Sequence, residues 1–352
     1  MQITERDLVR AAETGILSRS QAQSLWRFLE AEIGSGESSK PRFDAIHILW
    51  YGGALIVIGA MTLFTTEAWQ AFGGRVLALI GAVYGVAAWA LGHHFWRRDL
   101  RVPGGLLITV AVAMVPLTVY GLQNAMGWWT GGTYGDFPFD GFVGWARGSF
   151  APMEAATILA GALALARYRF GFITMPMAVA GWMLAIDLTP WILDLDEYDW
   201  EARHGVSAWF GMGMMAFAWA VDLKGRQDFA FWLHLFGIVA FWSGLTLLDS
   251  GGELARAAYC LINMGLIGLS LFLSRRVYAV FGALGVALYL GHLAGEVFGD
   301  SLLFPFALSL VGLAVIVGGV ILYRRRARLD AWLDRILPAA VRALRPDHAR
   351  PG

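Results

Sequence analysis

Charge is scarce in this sequence. Of 352 residues, 15% are Asp, Glu, Lys or Arg, against 57% that are hydrophobic. A soluble domain carries about 25% charged residues, and a surface of this size could not be covered with so few. Cysteine is scarcer still. Cys260 stands alone inside an apolar run, so the chain forms no internal disulfide and no CxxC centre. It reads as a small buried hydrophobe. The formal net charge is zero, and no basic field of the kind that binds nucleic acid occurs outside the C-terminal tail. There is no GxSxG, no GxxxxGK[ST] and no HExxH, which removes the serine-hydrolase, P-loop and zincin signatures. His93 and His94 are adjacent, so on a helix they point apart and make no metal pair. No catalytic residue, cofactor or dedicated metal site is expected, and the chain leans away from being an enzyme.

What is present is hydrophobic length. The mean hydropathy is +0.56, with 43 glycines and 16 tryptophans. Gly lets helices approach closely in lipid, and Trp anchors at the interface. A bilayer core of ~30 Å takes roughly 20 helical residues to cross. Apolar runs of that kind lie near 44–64, 74–93, 102–122, 152–168, 170–191, 205–222, 228–248, 255–274, 277–297 and 301–323. The fourth is weak, because Glu154 and Arg167 confine its uncharged stretch.

The distribution of basic residues supports that fourth span. With ten spans and the N-terminus inside, the inner loops hold Arg97, Arg98 and Arg101, then Arg167 and Arg169, then Lys224 and Arg226, then Arg275 and Arg276. The outer loops hold only Arg75, Arg147, Arg203 and Arg256, never more than one in a loop. The tail opens with Arg324, Arg325, Arg326 and Arg328. By the positive-inside rule both termini are cytoplasmic. The outer loops are conversely aromatic and acidic, notably 123–151 and 194–201.

Three parts follow. Residues 1–42 read as a cytoplasmic helical hairpin with a linker. Thr4 caps a first helix bearing Leu8, Val9 and Ala12, which Gly15 ends. Ser18 begins a second helix with Gln21 as its capping-box partner. Gly34 to Ser39 is the flexible linker. Residues 43–323 form an all-α membrane bundle of about ten helices. No signal peptide is visible, so the first span is expected to serve as its own insertion signal. Residues 324–352 carry an apolar stripe, from Leu329 and Trp332 to Val341 and Leu344, flanked by arginines. This basic amphipathic tail is expected to lie on anionic lipid headgroups, a cytoplasmic protein partner being the alternative.

Several short motifs carry a likeness. Gly15-Ile16-Leu17-Ser18, Pro103-Gly104-Gly105-Leu106-Leu107, Asp187-Leu188-Thr189-Pro190, Phe231-Trp232, Phe241-Trp242-Ser243-Gly244-Leu245 and Phe304-Pro305-Phe306 are spread over most of the chain. With them the chain resembles an uncharacterised family of bacterial polytopic inner-membrane proteins with an N-terminal domain of unknown function. The resemblance implies a multi-pass helical inner-membrane protein. It implies no substrate or site residue.

Polar residues at membrane depth are functional candidates, because they are costly to keep there. Tyr289, His292 and Glu296 share one helix face, and Asp187 lies at similar depth. Together they suit proton relay or cation binding, the alternative being contact with headgroups and neighbouring helices. His47 and Tyr51 on the first span, and His234 on the seventh, are secondary candidates, better read as interhelical hydrogen bonds. Asn263 reads as helix-to-helix glue. Glu154 and Asp222 fall at span ends and are expected to touch water. Asp194, Asp196, Asp199 and Glu201 lack the glycine of a calcium loop.

Two functions are thus expected to compete. One is a transporter or permease-like carrier of a small solute or ion. The other is a non-transporting scaffold or sensor that engages cytoplasmic partners through its terminal helices.

Overall fold

The computed structural model describes residues 8, 12, 18–36, 45–71, 73–128, 149–193, 199–224, 227–248, 251–298, 305, 306, 309, 310, 312, 313 and 317. Among them there are helices and turns and no strand. The expected first hairpin helix, the long loop, the tenth span and the amphipathic tail lie wholly or mostly outside the described residues.

Helix α1 is Arg19–Gly36. It opens as the capping box requires. Ser18 Oγ accepts from the Gln21 backbone at 3.1 Å, and Gln21 Oε1 accepts from the Ser18 backbone at 2.9 Å. The helix runs through Gly34-Ser35-Gly36, where the linker was expected.

The apolar runs become α2 (Ala45–Ala71), α3 (Gly74–Arg97), α4 (Arg101–Ala113), α5 (Val115–Ala125), α6 (Ala151–Arg167), α7 (Thr174–Asp187), α8 (Thr189–Leu193), α9 (Trp200–Leu223), α10 (Gln227–Leu247), α11 (Glu253–Leu273) and α12 (Arg276–Phe298). Among the described residues, six stretches are long and apolar enough to cross a membrane: Gly74–Arg97, Arg101–Ala125, Trp200–Leu223, Phe229–Leu247, Glu253–Leu273 and Arg276–Glu296. Leu49–Met61 and Gly171–Asp187 are shorter apolar helices. The chain is therefore an all-helical, multi-pass membrane protein. Its outer faces agree with this. Leu79, Val86, Leu163, Trp209, Phe217 and Leu261 are all exposed. Exposed apolar surface on that scale suits lipid and would be a liability in water.

Prolines place the breaks. Pro116 lacks a backbone N–H, so the helix interrupts at Met114, between α4 and α5. The Met114 carbonyl accepts both the Thr118 backbone N–H at 3.1 Å and Thr118 Oγ1 at 3.0 Å. Pro190 follows the break at Leu188 in the same way.

Helices pair where small residues face backbone. An added Cβ on Gly211 would strike the Phe241 backbone, and one on Gly244 would lie 2.6 Å from the Ala208 backbone, so α9 and α10 touch through glycine at two levels. In α12, a Cβ on Gly285 would overlap the Asn263 side chain of α11.

The connections sort charge. His93 Nδ1 meets Tyr168 Oη at 2.9 Å, which sets the ends of α3 and α6 side by side. Thr174 Oγ1, which donates to Gly171 O at 2.7 Å, also lies 3.2 Å from Phe229 O, so the starts of α7 and α10 adjoin. Arg97, Arg98, Arg101, Arg167, Arg169, Lys224, Arg275 and Arg276 thereby gather at one end. Arg75, Arg203 and Arg256 belong to the other.

Candidate functional site

Two buried polar clusters sit at opposite ends of the bundle. At the arginine-rich end, Asp222 of α9 is 1% exposed, and His234 of α10 and Tyr278 of α12 are wholly buried. Arg275, in the turn before α12, donates Nη2 to Asp222 Oδ1 at 2.5 Å and Nε to Oδ2 at 3.1 Å. Asp222 Oδ2 also lies 2.9 Å from His234 Nε2, and His234 Nδ1 lies 2.5 Å from Tyr278 Oη. An ionised carboxylate only accepts, so Nε2 carries the proton and Nδ1 accepts from the tyrosine hydroxyl. The four side chains then form one satisfied chain, with Arg275 and Asp222 cancelling in charge. Its order, carboxylate, imidazole, hydroxyl, matches a nucleophile triad. The hydroxyl is enclosed, however, so no substrate reaches it.

At the opposite end, Glu154 of α6 is 6% exposed and Arg203 of α9 is 5% exposed. Arg203 Nη1 lies 3.7 Å from Asp187 Oδ1, at the end of α7, with both side chains largely enclosed. The carboxyl groups of Glu154 and Asp187 are near enough to interact electrostatically. Two carboxyl groups bond only if one proton lies between them, because ionised carboxylates cannot donate. Among the described residues, Glu154 Oε2 is buried with no hydrogen-bond partner. Gln123, 2% exposed, closes this end by donating Nε2 to Ser149 O at 3.0 Å, joining α5 to the start of α6.

The structure corrects two sequence readings here. Glu154 and Asp222, expected in water at span ends, are both buried. Arg203, expected in an outer loop, is inside the bundle as the partner of Asp187. Sequence position alone missed Glu154 and Arg203. The signal available was the cost of a charge inside an apolar segment, which requires a partner.

The other candidates are placed as follows. His292, half-buried on α12, lies 2.9 Å from Arg256 Nη1 and 3.6 Å from Glu253 Oε1, both on α11. Glu296 is exposed and Tyr289 half-buried. Asp187 has its partners on α6 and α9, so it and His292 belong to separate contacts. Tyr51 packs edge-on against Phe172 at 5.5 Å. His47 lies on α2, and its side chain is outside the described residues. Asn263, fully buried, donates to Tyr259 O at 2.9 Å and accepts from Trp242 Nε1 at 3.2 Å. That is the glue expected of it. His234 likewise makes interhelical hydrogen bonds. Asp199 serves as N-cap of α9, accepting from Ala202 N at 3.1 Å.

Compared with known proteins, the chain matches no family model, no curated protein and no solved structure.

Proposed function

We propose that this chain is a carrier of a small cationic solute or ion, with Glu154 and Asp187 as its exchange site. One observation carries the reading: two enclosed carboxyl groups close enough to interact, set beside one guanidinium, so that a proton held between them leaves the site neutral. With the proton in place, the pair and Arg203 sum to zero charge. Losing it leaves one net negative charge, which a cation can neutralise. The site thus alternates between proton and cation without either state leaving a buried charge unbalanced, which lipid penalises by roughly 2.5–3.5 kcal/mol per group on insertion scales. Such polar sites between spans are where carriers bind.

About ten spans, with both termini cytoplasmic in a bacterial inner membrane, complete the proposal. The collection of basic residues at one end supports that orientation. The competing reading, a scaffold or sensor acting through its terminal helices, needs no exchange site.

The test is thermal unfolding of the full chain in detergent against a panel of monovalent, divalent and organic cations at several pH values. A ligand that binds only the folded state adds ~2.7 kcal/mol at 100 times its Kd. A cation-specific rise that Glu154→Gln abolishes is expected. No rise with any cation, or one that Glu154→Gln leaves intact, overturns the carrier reading in favour of the scaffold.

A further inference from the structure

A groove of about 610 Å³ runs between α3, the α4–α5 break and α6. This is within the ~300–1,000 Å³ of ordinary ligand sites. Small residues open it: Gly81 and Gly85 on α3, Ala160 and Ala164 on α6. Its floor is the interrupted turn at Met114. Almost all of its wall is apolar, and Val86, Trp89 and Leu163, which line it, are exposed.

One end differs. There the groove reaches His93, Tyr168 and Arg167. His93 and Tyr168 are joined by a 2.9 Å hydrogen bond, and Trp89 stacks on His93 at 5.8 Å. Arg167 is exposed, with its guanidinium 5.5 Å from the Tyr168 ring. Arg97, Arg98, Arg101 and Arg169 lie around the same end, and among the described residues there the acidic group is Asp99, paired with Arg101 at 3.3 Å. An apolar slot would be filled by any lipid tail, since tails are as apolar as leucine. A cationic mouth at headgroup depth selects among lipids, because basic pockets between spans attract anionic headgroups.

We propose that this groove is a binding site for an anionic phospholipid, with its acyl chain between α3 and α6 and its phosphate at Arg167, beside His93 and Tyr168. The site is separate from the Glu154–Asp187 pair, which lies toward the other end of α6.

The experiment is native mass spectrometry of the full chain released from vesicles of equal phosphatidylglycerol and phosphatidylcholine. One phosphatidylglycerol is expected to stay bound, at least fivefold above phosphatidylcholine. Arg167→Gln is expected to abolish that preference while tail binding persists. Ala160→Phe is expected to exclude both lipids. The thermal midpoint of each variant reports its fold, and Arg167, being exposed, can be changed without opening the core. Equal retention of the two lipids, or no retention, overturns the proposal. So does unchanged phosphatidylglycerol retention in both variants. A lipid-free dimer that Ala160→Phe dissociates also overturns it, and assigns the groove to a second copy of the chain.

Discussion

The two buried clusters differ in how completely they are satisfied. At the arginine-rich end, Asp222 accepts from Arg275 and His234, and His234 in turn meets Tyr278, so every functional group in that chain has a partner. At the other end Asp187 is paired with Arg203 beside the carboxyl group of Glu154, and among the described residues one oxygen of Glu154 has no hydrogen-bond partner. A closed network is a tie between helices. An open one retains capacity for a proton or a cation. Burial alone therefore does not mark function in a membrane protein; the state of the hydrogen-bond inventory does.

The comparison can be broken most severely at Asp222. Asp222→Ala strands Arg275 and His234 inside the bundle, and losing one partner of a buried pair costs about 3–5 kcal/mol. The thermal midpoint should collapse in every detergent and ligand condition. A variant as stable as the parent would show the tie to be dispensable. Next in size is the link between His234 and Tyr278. Tyr278→Phe should cost ~1–3 kcal/mol by orphaning a buried acceptor. Combined with His234→Phe the loss should be markedly less than additive, a double-mutant cycle measured by thermal unfolding.

A third change sharpens the glue at Asn263. Gly285→Ala should destabilise through overlap with that side chain, typically by ~1–3 kcal/mol. Asn263→Ala should partly rescue it, and absence of rescue would place the clash elsewhere. The smallest stability effect is expected at Glu154→Gln, which keeps the shape and removes the shared proton. Its thermal midpoint should move by less than ~1 kcal/mol, within the range of conservative swaps. The pH dependence of that midpoint should nevertheless flatten if the carboxyl pair is a proton site. A large loss of stability with an unchanged pH profile would make this cluster a tie like the first.

Much of the fold was legible because lipid leaves few choices. Length and hydropathy located α3, the α4–α5 pair and α9 to α12 within a few residues. Ser18 with Gln21 announced a helix start. Asn263 and His234 were readable as interhelical bonds, since a lone polar group in an apolar run has few other outlets. The site was not legible in the same way. Asp187 was visible as a candidate, yet its partners come from α6 and α9, and no periodicity along one chain segment encodes which helices adjoin. The i, i+3, i+7 face of Tyr289, His292 and Glu296 is real on α12, but what it meets is set by Arg256 and Glu253 on α11. Glu154 was misread because a charge near a span boundary looks the same in sequence whether it faces headgroups or a neighbouring helix.

The Asp222–Arg275 bridge also sets a schedule for biogenesis. The two residues are 53 positions apart, so at about 5–20 residues per second Arg275 is synthesised roughly 3–11 seconds after Asp222. His234 follows Asp222 by only 12 residues, within the next span. The imidazole is thus the first of the two partners to be synthesised. In the folded chain it ties α9 to α10, and Arg275, in the turn before α12, closes over the same carboxylate.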